Sequence, residues 1–276
     1  MELIVFDLDG TLLNRDAAIS DYTKETLRLL AQNGVAYTVA TGRTLHGSRD
    51  VIAGHGFTLP QVYKNGVVIW HPQASRFTHP NVLTESELTH VTGACIDHGL
   101  TPFVFTLESD NDHAVYHPPL RSEAEENLVR LYGGGRGLKV MPIEMLPTDA
   151  RITNVSAIGP RSAIEKIVAL VADEDHLVAY SGPAMESNEY YWLDLHHSDA
   201  SKGGAIEILR GMLGIERVIC FGDSDNDLSM FALADESYAP ANARDHVKSA
   251  ATEVIGHHDE EGIARFLRRR FSLDDD

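Results

Sequence analysis

Two aspartates, Asp7 and Asp9, stand where the apolar run Leu3-Ile4-Val5-Phe6 meets Gly10-Thr11. Carboxylates so placed can attack an electrophile, move protons or hold a metal ion. On an extended chain, residues two apart face the same side, so both are expected to address one site. Gly10 then lets the chain turn away sharply. An Asp-Gly pair alone reads equally as a surface turn. Two carboxylates closing a buried run are harder to dismiss, because unpaired charge is costly there.

A second acidic cluster, Gly222-Asp223-Ser224-Asp225-Asn226-Asp227, follows the apolar run Val218-Ile219-Cys220-Phe221. Hard oxygen ligands with no Cys inside the cluster suit Mg2+. A calcium loop would need a glycine and a distal glutamate at spacings this segment lacks. Ser224 or Asp225 also suits the cap of the helix that follows. Thr41 closes a second apolar run, where its hydroxyl and adjacent backbone N–H groups could hold a phosphoryl oxygen. Lys202 opens a helical stretch in Ala200-Ser201-Lys202-Gly203-Gly204. As a helix-surface lysine it would be unremarkable, but a cation at a helix N-terminus opposes the macrodipole, a hint that something else holds it there.

The elements that must position these groups follow from periodicity. The run from Leu3 to Leu8 reads as a parallel strand covered on both faces. Helical spacing over 22–33 ends at Gly34, and a strand over 35–40 leads into Thr41-Gly42-Arg43 and another helix. Alternating strand and helix predict a parallel α/β sheet. Asn65-Gly66 signals a hairpin with Val67-Val68-Ile69-Trp70 leaving it. From about residue 80 the pattern changes to helices (85–98, 122–132, 161–172) among strands (102–107, 113–117, 152–158, 176–181, 190–195), as in an α+β domain with an antiparallel sheet. Alternation then resumes with a helix at 202–213, a strand at 217–221, a helix at 225–234, short strands near 237–239 and 252–255, a helix at 243–250 and a final helix from Glu260. The expected fold is α/β: a Rossmann-like parallel-sheet core, 1–80 and 198–276, with an inserted α+β cap domain, 81–197.

The chain has 276 residues, 43% hydrophobic and 23% charged, with a formal net charge of -18. That charge disfavours nonspecific binding to nucleic acid and to anionic membranes. An anionic substrate would therefore need positive charge gathered locally. No apolar run approaches the roughly 20 residues that span a bilayer, and no signal peptide is expected, because the amino terminus already reads as a strand. Cys95 and Cys220 lie in apolar stretches and read as buried thiols, as in a reducing cytoplasm.

Taken together, Asp7-x-Asp9-Gly10-Thr11, Thr41, Lys202 and Gly222-Asp223-x-x-Asn226-Asp227 resemble, in order, the four motifs of the haloacid dehalogenase superfamily. Ala40-Thr41-Gly42-Arg43, Asn65-Gly66, Ser201-Lys202-Gly203, Met230, Asn242-Ala243 and Glu261-Gly262-Ile263-Ala264 are similar to its Cof-type sugar-phosphatase branch, whose α+β cap is inserted between the second and third motifs. The core resemblance spans roughly 1–80 and 198–276. It implies a Mg2+-dependent phosphatase of small phosphorylated metabolites, sugar phosphates foremost. Asp7 would be the nucleophile that forms an aspartyl-phosphate, and Asp9 the acid/base. The metal would lie between the Asp7 carboxylate, the Asp9 carbonyl and Asp223, with Asp227 orienting a metal-bound water or Lys202. Thr41, Gly42, Arg43, Lys202 and Asn226 would form the substrate cradle, under a cap that closes over it. A phosphomutase of the same superfamily and a non-catalytic sugar-phosphate sensor are the alternatives; retention of both Asp7 and Asp9 ranks the sensor last.

Other features read more simply. His196-His197 and His257-His258 lack metal-ligand spacing and read as solvated or hydrogen-bonded histidines. Trp70 and Trp192 read as packing residues, Gly133 to Gly137 as a flexible loop without the lysine of a phosphate loop, and Arg268-Arg269-Arg270 and Asp274-Asp275-Asp276 as solvated charge. Arg43 is open between a contact to the cap or a substrate oxygen and a surface ion pair. Cap loops near Ser187-Asn188-Glu189 are candidates to reach the leaving group.

Overall fold

The structure, a computed structural model, describes residues 2–78, 81–108, 112–135, 138–184 and 187–273. The chain divides into two compact units, Met1–Thr78 with Ser201–Asp276, and His79–Ala200. Arg136, Gly137 and Asp274 to Asp276 lie outside the described residues.

The discontinuous unit begins with β1 (Glu2–Phe6), α1 (Asp21–Gln32), β2 (Ala36–Val39) and α2 (Leu45–Ile52), then β3 (Gln61–Tyr63), β4 (Val68–His71) and β5 (Arg76–Thr78). The intervening unit holds α3 (Glu85–Asp97), β6 (Phe103–Leu107), β7 (His113–His117), α4 (Glu123–Arg130), β8 (Lys139–Pro142), β9 (Arg151–Pro160), α5 (Arg161–Val171), β10 (Leu177–Ala184) and β11 (Ser187–His197). The first unit resumes with α6 (Lys202–Leu213), β12 (Arg217–Phe221), α7 (Leu228–Leu233), β13 (Glu236–Pro240), α8 (Asp245–Ala250), β14 (Glu253–Ile255) and α9 (Gly262–Arg270).

In the first unit five strands pair in parallel in the order β14-β13-β12-β1-β2. Successive side chains of a strand point to opposite faces, and both faces of this sheet are covered. Ile4, Phe6, Ile219 and Phe221 pack with Leu27 and Leu30 of α1 and Phe266 and Leu267 of α9. Leu3, Val5, Val218 and Cys220 pack with Ile206 and Leu209 of α6 and Met230 of α7. That two-sided burial is why β1 and β12 read as unbroken apolar runs. Strand order reverses between β1 and β12, so their carboxyl ends flank the crevice where ligands bind in open α/β sheets. Asp7 follows β1 directly and Asp223 follows β12 by one residue.

A three-stranded antiparallel sheet, β3-β4-β5, completes this unit. Its first hairpin runs through Lys64, Asn65 and Gly66, as the Asn-Gly pair predicts, with Asn65 and Gly66 at positive φ of 55° and 101°. Gly66 is required twice over. A Cβ there would lie 2.1 Å from the carbonyl oxygen of Ser201, and Ser201 caps α6 by accepting from Gly204 N–H at 3.0 Å.

The second unit is a six-stranded sheet, β10-β11-β9-β6-β7-β8, antiparallel except for β7 with β8. Capping boxes Thr84/Glu87 and Ser122/Glu125 start α3 and α4. Val91 and Cys95 of α3 and Ile164 and Ile167 of α5 cover one face against Val104, Val155 and Leu195. Phe103, Phe105 and Val115 face the other way and pack on Tyr132 and Leu138. Two strands escaped the sequence reading, β5 and β8, each short and without alternation.

The close approach at Gly66 yields a stability prediction. Gly66→Ala should cost about 2–4 kcal/mol, from left-handed strain and overlap with the Ser201 backbone. Thermal unfolding checks this; an unchanged melting temperature would show that the turn and the start of α6 are not in register as described.

Candidate active site

Asp7 leaves β1 with its backbone N–H on Phe221 O at 2.9 Å, pinned to the neighbouring strand. The extended premise for Asp7 and Asp9 fails just beyond. Leu8–Leu12 forms one wide turn, in which Gly10 takes φ 73°. The two carboxylates consequently have different surroundings: Asp7 is buried, whereas the Asp9 side chain is 58% exposed. They have different partners too.

Asp7 Oδ1 accepts from Lys202 Nζ at 2.6 Å, and the same ammonium donates to Asp227 Oδ1 at 2.7 Å. Lys202 and Asp227 are fully buried. The helix-terminal lysine that opposed its own dipole is thus held by two carboxylates. Burial works against its charge, but Asp227 and Asp7 outweigh that and hold the ammonium above the usual lysine range. Burial lifts Asp7 well above the usual carboxylate range; Lys202 pulls it back, and Asp227 and Asp223 push it up again. Asp227 Oδ2 is taken by the N–H groups of Asp223 and Ser224 at 2.8 and 2.9 Å, so Ser224 starts the next turn through this carboxylate.

Asp223 is raised first by burial and then by Asp227, while hydrogen bonds from Thr11 and Ser224 lower it. Thr11 Oγ1 donates to its Oδ1 at 2.9 Å and Ser224 Oγ to its Oδ2 at 3.1 Å. A Cβ on Gly10 would meet Asp223 Oδ2 at 2.6 Å, so only glycine lets this carboxylate lie against the turn that carries Asp9. One oxygen from each of Asp7, Asp223 and Asp227 falls within 4.8 Å of the others. Three buried or part-buried carboxylates against one ammonium are electrostatically incomplete, and a divalent cation bound by hard oxygens fits that deficit.

Thr41 is buried after β2; its N–H donates to Val62 O at 3.0 Å and its hydroxyl accepts from Arg43 N–H at 3.1 Å. Gly42 backs onto Asn65, whose Oδ1 would lie 3.1 Å from a Cβ there. Asn65 N–H donates to Thr41 O, and its side-chain Oδ1 accepts from Asn226 Nδ2 at 2.9 Å. These bonds join the Thr41 segment to the acidic segment. Of the two readings open for Arg43, the structure shows the ion pair: its guanidinium forks onto both oxygens of the part-exposed Asp9, at 2.7 and 2.5 Å.

The structure thus brings Asp7, Lys202, Asp223 and Asp227 together, links Asn226 to the Thr41-Gly42 segment through Asn65, and sets Asp9 with Arg43. Thr11 and Asn242 support the site without having been assigned a role from sequence; Asn242 Nδ2 donates to Gly10 O at 2.7 Å. Both lie in quoted motifs, but their hydrogen bonds span more than 200 residues and leave no local signal.

Among the discounted features, Trp192 is 41% exposed and lies with its indole over Gly182 of the paired strand, while Trp70 packs against Phe77 with the rings tilted. His196 is buried, with Nδ1 3.0 Å from His197 O. His257, His258 and Asp259 do offer three ligand atoms within 4.8 Å, but Nδ1 of His257 already accepts from Asp259 N–H and Nδ1 of His258 meets Leu13 O. Glu189 is exposed, and the side chains of Ser187 and Asn188 lie outside the described residues. No helix among the described residues is long and apolar enough to cross a membrane.

Comparison with known proteins agrees with this architecture. A family model described as haloacid dehalogenase-like hydrolase matches residues 4–267, and the chain belongs to that family. The 5-amino-6-(5-phospho-D-ribitylamino)uracil phosphatase YitU of Bacillus subtilis is 28% identical, with 98% of each chain covered. The phosphoglycolate phosphatase of Methanopyrus kandleri is 27% identical, covering 97% of this chain and 96% of its own. A haloacid dehalogenase-like hydrolase from Bacteroides thetaiotaomicron shares the fold, with a TM-score of 0.78 at 21% identity over 98% and 99% of the two chains. Family and relatives together make this chain a phosphoric monoester hydrolase by class.

The crowded carboxylates predict a trade of stability for binding. For Asp7 and Asp223 a raised value in the folded state means stability present below the ordinary carboxylate range and lost as pH rises through the raised values. Asp223→Asn keeps an acceptor for Thr11 but removes one charge. In chelator near pH 8 it should raise the melting temperature by about 2–4 °C, the effect of ~1 kcal/mol in a domain of this size. It should also shrink the stabilisation by added Mg2+. Lower stability in chelator, with the Mg2+ shift intact, would contradict this electrostatic account.

Proposed function

We propose that this enzyme is a Mg2+-dependent phosphatase of small phosphorylated metabolites, sugar and polyol phosphates foremost, acting through an aspartyl-phosphate on Asp7. The observation that carries the reading is Lys202, buried between Asp7 and Asp227 beside Asp223. A structural ion pair needs neither a second buried aspartate nor a third beside it. A site for a phosphoryl dianion with its cation needs both. The named relatives act, by their names, on a phosphoribityl compound and on phosphoglycolate, both small phosphate esters, and this supports the substrate class.

The Asp7 carboxylate would hold the metal together with the Asp9 backbone carbonyl and Asp223. Asp227 has both oxygens committed to Lys202 and to backbone N–H groups, which suits an orienting role. When bound, the cation offsets repulsion between the carboxylate nucleophile and the anionic phosphoryl group. Asp7 then forms a bond to phosphorus as the bond to the leaving oxygen breaks. Asp9 gives its proton to that oxygen, releasing an alcohol. In the second half, Asp9 takes a proton from the attacking water. The bond between phosphorus and Asp7 breaks, inorganic phosphate leaves, and both aspartates return to their starting forms.

Lys202, the Thr41 hydroxyl and the Gly42 N–H stabilise the phosphoryl oxygens, with Asn226 fixed by Asn65 at the edge of the cradle. One buried ammonium and one divalent ion supply the local positive charge that a chain of net charge -18 otherwise lacks. The free, buried thiols Cys95 and Cys220 support a cytoplasmic setting.

The enzyme should release phosphate from p-nitrophenyl phosphate and from polyol phosphates only with Mg2+ present, and Asp7→Asn should lower kcat by ~10³-fold or more while the fold survives. Undiminished turnover in chelator would remove the metal from the account. Substantial turnover by Asp7→Asn would remove the nucleophile.

A further inference from the structure

Arg43 makes a contact that a phosphate-binding arginine would not need. Its Nε donates to Asp9 Oδ2 at 2.7 Å and its Nη2 to Asp9 Oδ1 at 2.5 Å, so both carboxylate oxygens are engaged by one planar fork. The rest of the arginine is tied to firm backbone. Nη1 donates to Gly47 O in the first turn of α2 at 3.0 Å, and its own N–H donates to Thr41 Oγ1. Thr44 caps that helix by accepting from Gly47 N–H at 3.0 Å, so the carbonyl that fixes the guanidinium is itself fixed. The arginine side chain is only 20% exposed.

Asp9 has no such anchorage of its own. It stands on the Leu8–Leu12 turn at non-helical φ and ψ, and more than half of its side chain faces solvent. An exposed aspartate on a turn samples several rotamers. A group that must meet the leaving oxygen within hydrogen-bond reach cannot afford that freedom. The fork fixes both the position and the plane of the carboxylate.

We propose that Arg43 is the positioning residue for Asp9, acting on the leaving group through that carboxylate rather than by holding the phosphoryl group. The proposal rests on the phosphatase reading above. Its consequence is selective. An alkyl leaving group needs the proton from Asp9, whereas p-nitrophenolate leaves with little help, so losing Arg43 should matter for one and hardly for the other.

The test is single-turnover phosphorylation of the enzyme with Mg2+, using glycerol phosphate and p-nitrophenyl phosphate, for the unmutated enzyme, Arg43→Ala, Asp9→Asn and the double variant. Arg43→Ala should slow the alkyl ester by about 10²-fold and the aryl ester by less than about tenfold, the size expected for general acid catalysis. Asp9→Asn should show the same split, and the double variant should be no slower than Asp9→Asn alone. Arg43→Lys should fail to restore the alkyl rate, because a point charge cannot span both oxygens, while guanidinium ion added to Arg43→Ala should restore part of it. Equal losses on both esters with a raised KM, or losses that multiply in the double variant, would place Arg43 on the substrate and overturn the proposal. An unmutated enzyme that releases no phosphate from either ester would overturn the phosphatase reading, and this role with it.

Discussion

The structure turns on one buried ammonium shared by two carboxylates. Lys202 is fully enclosed, bonded at 2.6 Å to Asp7 and at 2.7 Å to Asp227. At an effective dielectric near 20 a unit pair at 4 Å is worth about 4 kcal/mol, which offsets much of the cost of burying the charge. Asp223 adds a carboxylate that Lys202 does not touch. Such a centre costs stability, and it suits the proposed binding of a cation and a phosphoryl group together.

Holding that centre requires four segments far apart in sequence to converge. Parallel pairing of β1 with β12 fixes Asp7 against Phe221, and two residues further the chain delivers Asp223. The hairpin at Lys64 to Gly66 packs against Ser201, the cap of the helix that Lys202 begins. Asn65 and Asn226 tie the Thr41 segment to the acidic segment. Two glycines permit the closest approaches: Gly10 admits the Asp223 carboxylate, and Gly66 admits the Ser201 backbone. Asp7 is therefore held by strand pairing and a buried ammonium, whereas Asp9 stands on a turn with its side chain more than half exposed and meets the Arg43 fork.

Much of the fold was legible because its signals are local. Unbroken apolar runs marked the doubly covered strands, and α6 and β12 match the expected spans residue for residue. The parallel core and the separate mixed sheet followed from the change in pattern near residue 80. β5 and β8 were not legible, since a three- or four-residue edge strand has too few positions to show a period. At the site, residue types and order were readable but pairings were not. The assumption of an extended chain through Asp9 does not hold, because Leu8–Leu12 forms a turn, and the two aspartates differ in partners and exposure. The lysine at the head of α6 was flagged by its conflict with the helix dipole, and its two partners explain that conflict. The Arg43–Asp9 fork spans 34 residues and left no trace in spacing.

The proposed reaction depends most on Asp7 carrying the phosphoryl group between its two halves. Rapid quenching of the Mg2+-loaded enzyme with radiolabelled substrate, followed by peptide mapping, addresses this directly. Acid-stable but base-labile label confined to the peptide bearing Asp7, appearing and decaying within a turnover, is the expected result. Transfer of label straight to inorganic phosphate with none on the protein, or label on any other residue, would contradict it.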